Sequence, residues 1–202
     1  MRHTGKLITF EGHEASGKST QIEYVGQYLH DQGYDVVITR EPGGSLIAND
    51  IRSLIMSNHN YTPLTEFLLF AASRSSNIED TILPSLEKGR IVLSDRYTDS
   101  SVVYQGYVKG LDLDSINVIN KIATKDIIPD LTILIDVPVS KTLERLETRQ
   151  SKNRIDQESI DFHQKVRSGY LNLAKLNSDR FRIINGLDSP DNVVSSILFH
   201  MK

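Results

Sequence analysis

The sequence contains no cysteine and no tryptophan, and it has no long apolar run. Without cysteine, the chain forms neither a disulfide framework nor a thiolate metal site, which is typical of proteins in a reducing cytosol. No run approaches the roughly 20 apolar residues that a membrane-spanning helix needs. The N-terminal stretch reaches Glu11 almost at once and has no apolar signal that could be cleaved. We therefore expect a cytoplasmic protein.

The chain also lacks an excess of either charge, internal repeats and low-complexity tails. Its formal net charge is -3, which excludes bulk electrostatic attraction to nucleic acid or to an anionic membrane. The 202 residues are 39% hydrophobic and 24% charged. Such a composition is ordinary for a globular protein, and the length suits one domain over residues 1–202.

A P-loop pattern, G-x-x-x-x-G-K-[ST], lies at residues 12–19. An apolar run precedes it and apolar residues at helical spacing follow it, which is the strand–loop–helix order that a phosphate cradle needs. Two glycines allow close approach of the backbone, so consecutive amides and the helix N-terminus can face phosphate oxygens. Lys18 can bridge the outer phosphates, and Ser19 can ligate Mg²⁺. The residues predicted to bind ATP are Gly12, His13, Glu14, Ala15, Ser16, Gly17, Lys18, Ser19 and Thr20.

Five short runs rich in β-branched residues predict strands. Most are continuously apolar rather than alternating, which is typical of a parallel sheet covered on both faces. Because helical patterns separate them, we expect a doubly wound α/β fold with a five-stranded parallel sheet. The predicted strands are Leu7–Phe10, Val36–Thr39, Ile91–Ser94, Leu131–Val137 and Phe181–Ile184.

Helices are predicted between these strands. The first ends near Gly33, the next carries Ile47, Ile51 and Ile55, another runs from Leu64 to about Leu86 with a bend or break at Pro84, and another covers Ser115–Ile127. Two later helices are expected to begin at N-caps Ser140 and Asp156. On the second of these, an apolar stripe is interpreted as core: Phe162, Val166, Tyr170 and Leu173.

Polar motifs follow the first three predicted strands, at the edge where parallel sheets bind ligands. Asp95 is placed to hold Mg²⁺, directly or through water, and Arg96 to present a planar donor fork to a phosphate. A surface ion pair is the alternative for these two residues. For Glu41, beside Arg40, a structural ion pair in a turn is nearly as good an interpretation.

Two further groups of residues suggest a base-binding pocket. Phe70 and Arg74 are four residues apart and share a helix face, so they can stack on a base and donate to its edge. The alternative is a core phenylalanine and a solvated arginine. Tyr104 and Gln105 can supply polar contacts, or they belong to an ordinary loop.

A cation-rich segment joins the two late helices. The segment contains one acidic residue, Glu147, and four basic ones: Arg145, Arg149, Lys152 and Arg154. We predict a lid over about residues 145–156 that places cations on a transferring phosphate. A solvated loop is the alternative.

Taken together, the motifs resemble the bacterial thymidylate kinase (dTMP kinase) family, and they occur in family order over nearly the whole chain. They are Phe10-Glu11-Gly12 into the P-loop, Thr39-Arg40-Glu41-Pro42-Gly43-Gly44, Phe70-Ala71-Ala72-Ser73-Arg74, Asp95-Arg96-Tyr97, Tyr104-Gln105-Gly106 and Arg154-Ile155-Asp156-Gln157-Glu158. The resemblance implies the P-loop nucleoside monophosphate kinase fold, a homodimer, and transfer of phosphate from ATP to dTMP with Mg²⁺ in dTTP biosynthesis.

The resemblance also implies roles for individual residues. Phe70 would stack on thymine, Arg74 would donate to a ring carbonyl, and Ser101 and Gln105 would read the base edge. Tyr104 would crowd the 2′ position of the sugar, and Glu11 would face its 3′-hydroxyl. Arg40 and Arg96 would grip the acceptor phosphate, with Arg52 at the border. The implied catalytic residues are Lys18, Asp95, Arg96 and Arg149, the last because the P-loop interior contains no arginine; His13 and Ala15 depart from the family pattern.

Two other functions stay open from the residues alone. A kinase for another nucleotide or deoxynucleoside would share most of these motifs. A GTP-dependent switch would carry an N-K-x-D motif, whereas Asn120-Lys121-Ile122-Ala123 lacks the acid.

Overall fold

In a computed structural model, residues 4–57, 59–148 and 155–201 are described. Within them, five parallel strands form one sheet in the order β2-β3-β1-β4-β5. The strands are β1 Lys6–Glu11, β2 Val36–Arg40, β3 Ile91–Asp95, β4 Leu131–Asp136 and β5 Phe181–Asn185. This confirms the predicted α/β fold and all five predicted strands, with ends that differ by one residue.

The helices lie between the strands. In chain order they are α1 Lys18–Asp31, α2 Leu46–Met56, α3 Pro63–Asn77, α4 Leu83–Glu87, α5 Thr98–Ser101, α6 Leu113–Thr124, α7 Val139–Glu147, α8 Ile160–Leu176 and α9 Pro190–His200. Two π-helical segments, Ile78–Ile82 and Val102–Val108, and a 3₁₀ turn, Ile155–Gln157, complete the described secondary structure. Every helix within the described residues is too short or too polar to span a bilayer.

Alternate side chains of the strands serve opposite faces of the sheet. On β1, Ile8 packs in a core cluster with Val25 of α1 and Ile197 of α9. Its neighbour Leu7 packs on the other face, against Ile78 and Leu86. Because strand side chains alternate in direction, a continuous apolar run supplies both cores at once.

Local sequence signals account for most helix boundaries. Thr62 caps α3 by accepting from the Thr65 amide, and Pro63 follows at the first position, where its missing N–H costs nothing. The break expected at Pro84 takes the form of the π-helical turn just before α4, where the Leu83 amide donates to the Ile78 carbonyl. Gly33 has a φ of 85° just beyond α1, as a residue that ends a helix requires.

Three local predictions were wrong or incomplete. Ser140 lies inside α7, whose N-cap is Pro138. Asp156 lies in the 3₁₀ turn, and α8 is capped by Ser159, which accepts from the Phe162 amide. Neither α9 nor the helical segment from 98 to 108 was predicted, although Ser189 and Pro190 carry an N-terminal signal.

Candidate active site

The P-loop leaves the carboxyl end of central strand β1 and enters α1. Gly12 has a φ of 140°, and a Cβ there would lie 2.7 Å from the Ile135 carbonyl oxygen. Gly17, with a φ of 98°, is the N-cap of α1 and has no side chain to cover the helix terminus. Both positions therefore require glycine. Thr20, the last residue predicted to bind ATP, lies exposed in the first turn of α1.

The two unusual P-loop residues have structural explanations. Ala15 has a φ of 53°, the left-handed region that glycine adopts more easily. The His13 ring is buried away from the pocket: Nε2 lies 2.7 Å from the Val137 carbonyl oxygen, Nδ1 lies 2.9 Å from the Glu14 carbonyl oxygen, and the Thr142 hydroxyl lies 3.1 Å from Nδ1. Burial lowers the pKa of His13 against the opposing effect of the Glu14 and Val137 carbonyls, and the contact with Val137 ties the loop to the chain just beyond β4.

Lys18 lies folded against the P-loop. Its Nζ donates to the carbonyls of Gly12 at 2.9 Å and His13 at 2.7 Å. Burial, followed by repulsion from Arg96, lowers the pKa of Lys18 to about 8. A phosphate group would supply the negative charge that this buried ammonium lacks.

Two side chains with oxygen atoms that could ligate a metal meet beside the P-loop. The Ser19 hydroxyl donates to the Asp95 carboxylate at 2.7 Å, joining the start of α1 to the end of β3. Hard oxygen ligands of this kind suit Mg²⁺, which keeps several waters and nucleotide oxygens in its shell. Across the described residues, no cluster of three or more acidic or histidine side chains forms a metal cage. The Ser19 and Asp95 oxygens suit a Mg²⁺ ion that nucleotide oxygens also coordinate.

Arg96 is restrained by several elements at once. It has a φ of 75°, a conformation that a non-glycine residue holds only when its surroundings fix it. Its guanidinium donates to the Gly12 carbonyl at 3.2 Å, to the Tyr170 hydroxyl at 3.1 Å and to Glu14 at 2.8 Å. Strand β3, the P-loop and α8 thus hold one donor fork at the pocket.

Glu11 precedes the P-loop and Glu14 lies within it, and their carboxylates face different surroundings. Glu11 is fully buried; its carboxylate accepts from the Tyr97 amide at 2.8 Å and from the Tyr170 hydroxyl at 2.8 Å. Burial and then Asp99 raise the pKa of Glu11 to about 7. Glu11 therefore lies beneath the pocket and does not line it, and its contact with the sugar stays a prediction. Glu14 lines the pocket instead, with its carboxylate 2.7 Å from the Tyr104 hydroxyl.

A single pocket of about 280 Å³ joins the P-loop to the predicted base-binding residues. Every predicted substrate-binding residue except Glu11 lines it. Arg40, Arg52 and Arg96 stand on the same wall, and burial followed by repulsion from Arg40 lowers the pKa of Arg52. Clustered cations of this kind favour an anion between them.

Arg74 is buried at the end of the pocket that the predicted base-binding residues line, and most of its donors are already used. Nε donates to Glu41 at 2.7 Å, Nη1 to Asn120 at 2.6 Å, and Nη2 to the Ser101 hydroxyl and the Tyr97 carbonyl, each at 3.1 Å. One N–H of Nη1 has no partner among the described residues. Glu41 therefore forms a structural ion pair, with Arg74. Burial raises the pKa of Glu41, and the positive charge of Arg74 opposes that shift.

The other residues predicted to bind the base line the same pocket as Arg74. Phe70 is half-buried one turn earlier on α3 and lines the pocket. Tyr104 and Gln105 lie in the π-helical segment 102–108, not in a loop. Such segments often occur at functional sites, because the wider turn redirects side chains.

The lid is only partly within the described residues. Arg145, at the end of α7, donates to the carbonyls of Ala15 at 3.0 Å and Gly186 at 3.2 Å, so it braces the P-loop. Arg149, Lys152 and Arg154 lie outside the described residues, and the catalytic role of Arg149 stays a prediction.

Sequence reasoning did not select two buried pocket neighbours. Asn120 holds Arg74 from α6, and no local pattern indicates that contact. Glu66 lines the pocket from α3 and accepts from Gln105 and Lys109. Its spacing was a usable signal, because Glu66, Phe70 and Arg74 recur every four residues on one helix face.

Comparisons with known proteins agree with this geometry. The family model described as thymidylate kinase matches residues 10–197. The thymidylate kinase of Thermoanaerobacter sp. (strain X514) is 44% identical over 195 residues, covering 96% of each chain. That of Geotalea daltonii is 47% identical over 191 residues, covering 90% of this chain and 89% of the relative. The crystal structure of thymidylate kinase from Ehrlichia chaffeensis has a TM-score of 0.82 at 32% identity and covers 98% of this chain and 99% of that one.

Proposed function

Because the chain belongs to the thymidylate kinase family and phosphorylates dTMP, we propose that it uses ATP and Mg²⁺ and transfers the phosphoryl group directly, in line. The observation that carries this proposal is the single pocket that joins Lys18 and Asp95 to Phe70 and Gln105. Donor phosphate chemistry and base recognition therefore share one cavity. We propose one kinase domain over residues 1–202, located in the cytoplasm with its nucleotide substrates.

The reaction needs no protein nucleophile. An oxygen of the dTMP phosphate forms a bond to the γ-phosphorus of ATP, and the bond to the bridging oxygen breaks, so ADP leaves with the electron pair. Lys18 meets the charge on the donor phosphates, and Arg96 spans donor and acceptor. Arg40 and Arg52 hold the acceptor phosphate. Bound through Ser19 and Asp95, Mg²⁺ would neutralise developing charge.

The base end of the pocket matches thymine in hydrogen-bond polarity. Arg74 offers one remaining N–H, and Gln105 borders the same cavity. Thymine has a carbonyl at C4 beside an N3–H donor, whereas cytosine has an amino group beside a bare N3. A donor and an acceptor placed in this order favour thymine and leave groups unpaired against cytosine.

An ADP-release assay with dTMP, dUMP, dCMP, dGMP and dAMP tests the proposal. We expect dTMP to have the highest kcat/KM. Arg74→Ala should lower the dTMP/dCMP ratio of kcat/KM by roughly 5- to 100-fold, the effect of leaving a buried polar group unpaired. An unchanged ratio in folded Arg74→Ala would show that Arg74 does not read the base.

We further propose that the protein is a homodimer. Helix α3 contacts both α2 and α6, and the three helices expose large apolar side chains. These include Leu46 on α2, Leu68 on α3 and Ile122 on α6, exposed by 86%, 47% and 73%. A second copy of the same surface would cover them. Sedimentation should give a dimer for the wild type and a monomer for Ile122→Glu; a wild-type monomer at micromolar concentration would contradict the proposal.

A further inference from the structure

Glu66 contacts Gln105 from inside the base pocket. It lies on α3 one turn before Phe70, is 1% exposed and lines the pocket. Its Oε2 accepts from Gln105 Nε2 at 3.1 Å and from Lys109 Nζ at 2.5 Å. The buried carboxylate therefore has a cation beside it, as a buried acid needs.

This contact fixes the orientation of the Gln105 amide. An ionised carboxylate has no hydrogen to donate, so only the NH₂ side of an amide can face it. Gln105 must therefore turn Nε2 toward Glu66, which leaves the carbonyl Oε1 as the group available to the pocket. Oε1 has no protein partner among the described residues, and Gln105 is nearly fully buried.

We propose that Glu66, held by Lys109, is a positioning residue that sets base specificity by keeping the Gln105 carbonyl toward the substrate. This inference rests on the proposed function, in which Gln105 reads the base edge. A fixed acceptor pairs with the N3–H of thymine or uracil. It opposes the bare N3 of cytosine, where two lone pairs would meet. The selectivity of the pocket thus depends on a residue that need not touch the base.

Removing the Glu66 carboxylate should turn the Gln105 side-chain amide over, so that its oxygen and nitrogen exchange places. In Glu66→Met, Lys109 loses its carboxylate, and the Gln105 side-chain carbonyl, whose amide shares Glu66 with Lys109, is an acceptor that can replace it. The NH₂ group then faces the pocket. We expect kcat/KM to fall for dTMP and to rise for dCMP, narrowing their ratio by at least about tenfold. Glu66→Gln retains an oxygen that accepts from both donors, so it should keep the ratio within about threefold.

A second pair of variants separates positioning from a structural role. In a Gln105→Leu background there is no amide to orient, so Glu66→Met should leave the dTMP/dCMP ratio unchanged. Glu87→Gln, an exposed carboxylate at the end of α4, controls for loss of charge and should behave as wild type. Equal losses for both substrates in Glu66→Met, or the same narrowing in the Gln105→Leu background, would overturn the proposal.

The wild-type protein provides a measurement that does not depend on the folding of Glu66→Met. The Gln105 side-chain amide signal can be identified in ¹⁵N spectra by its loss in Gln105→Leu. With dTMP bound, its protons should show stronger nuclear Overhauser contacts to the Glu66 side chain than to the thymine N3–H, and the reverse order would overturn the orientation. If the wild type does not phosphorylate dTMP, the proposed function itself fails. If it prefers dTMP but Glu66→Met keeps that preference, this inference alone fails.

Discussion

Replacing Arg74 by alanine should cost the protein much of its stability as well as its base selectivity. Arg74 is 1% exposed, and its partner Glu41 is 5% exposed, so the substitution leaves a buried carboxylate without its cation. Breaking a buried ion pair from one side costs about 3–5 kcal/mol. The acceptors on Asn120 and Ser101 also lose their donor. For a chain of this size, each kcal/mol lowers Tm by about 2–4 °C, so we expect a fall of roughly 6–20 °C.

A surface ion pair of the same length is the matched control. Arg90 Nε lies 2.7 Å from Asp35, the same distance as in the Arg74–Glu41 pair, but its partner's side chain is 65% exposed. Exposed pairs contribute about 0–1 kcal/mol, so Arg90→Ala should barely change Tm. Thermal and urea unfolding of both variants, without nucleotide, measure the difference. Equal effects of the two substitutions would refute the argument that burial decides the cost.

The pH dependence gives a further check on the same reasoning. Burial already raises the pKa of Glu41, and removing Arg74 raises it further. The folded variant then binds a proton that the unfolded chain releases above its ordinary pKa. Stability of Arg74→Ala relative to wild type should therefore fall as pH rises above the ordinary pKa of a glutamate, 4.5. A pH-independent difference would mean that Glu41 is not the group left unpaired.

Three other predictions concern the site. Lys18→Ala should nearly abolish phosphoryl transfer while circular dichroism shows that the protein is still folded, and near-normal turnover would exclude a catalytic P-loop. Arg149→Ala should lower kcat by up to ~10³-fold and change KM less. Steady-state kinetics should compare it with Lys152→Ala and Arg145→Ala. A larger loss of kcat in one of those variants would assign the catalytic role to that residue instead. The pKa of Glu11 is raised from 4.5 in the unfolded chain to about 7 in the folded protein. Between these two pH values the folded protein keeps a proton on Glu11 that the unfolded chain has released. The contribution of Glu11 to the free energy of unfolding therefore falls as pH rises through that window. Unfolding of wild type and Glu11→Gln should thus diverge by about 3 kcal/mol across it, whereas parallel profiles would contradict the shift.

The fold and the edge that carries the site were predictable because their signals are local. Continuous apolar runs predicted the strands, and the P-loop identified the first of them as a phosphate-binding strand. Parallel strands end at one edge of the sheet, so the residues that follow β2 and β3 had to lie near the P-loop. Asp95 and Ser19, 76 residues apart, meet there for that reason. Helix starts were less secure, because several polar residues in a row can each serve as a cap, as at Asp156 and Ser159.

The sequence alone determined most of the chemical groups that reach the pocket, since parallel strands and the motifs that follow them bring these groups to one edge of the sheet. Only the tertiary structure decided how those groups are paired. Glu11 bonds Tyr170, 159 residues away, and so lies beneath the pocket, whereas Glu14 lies on its wall. Arg74 is held by Asn120, 46 residues away. Such contacts leave no periodic signal, because the direction of a buried polar side chain depends on which donors and acceptors the packed neighbours leave unsatisfied.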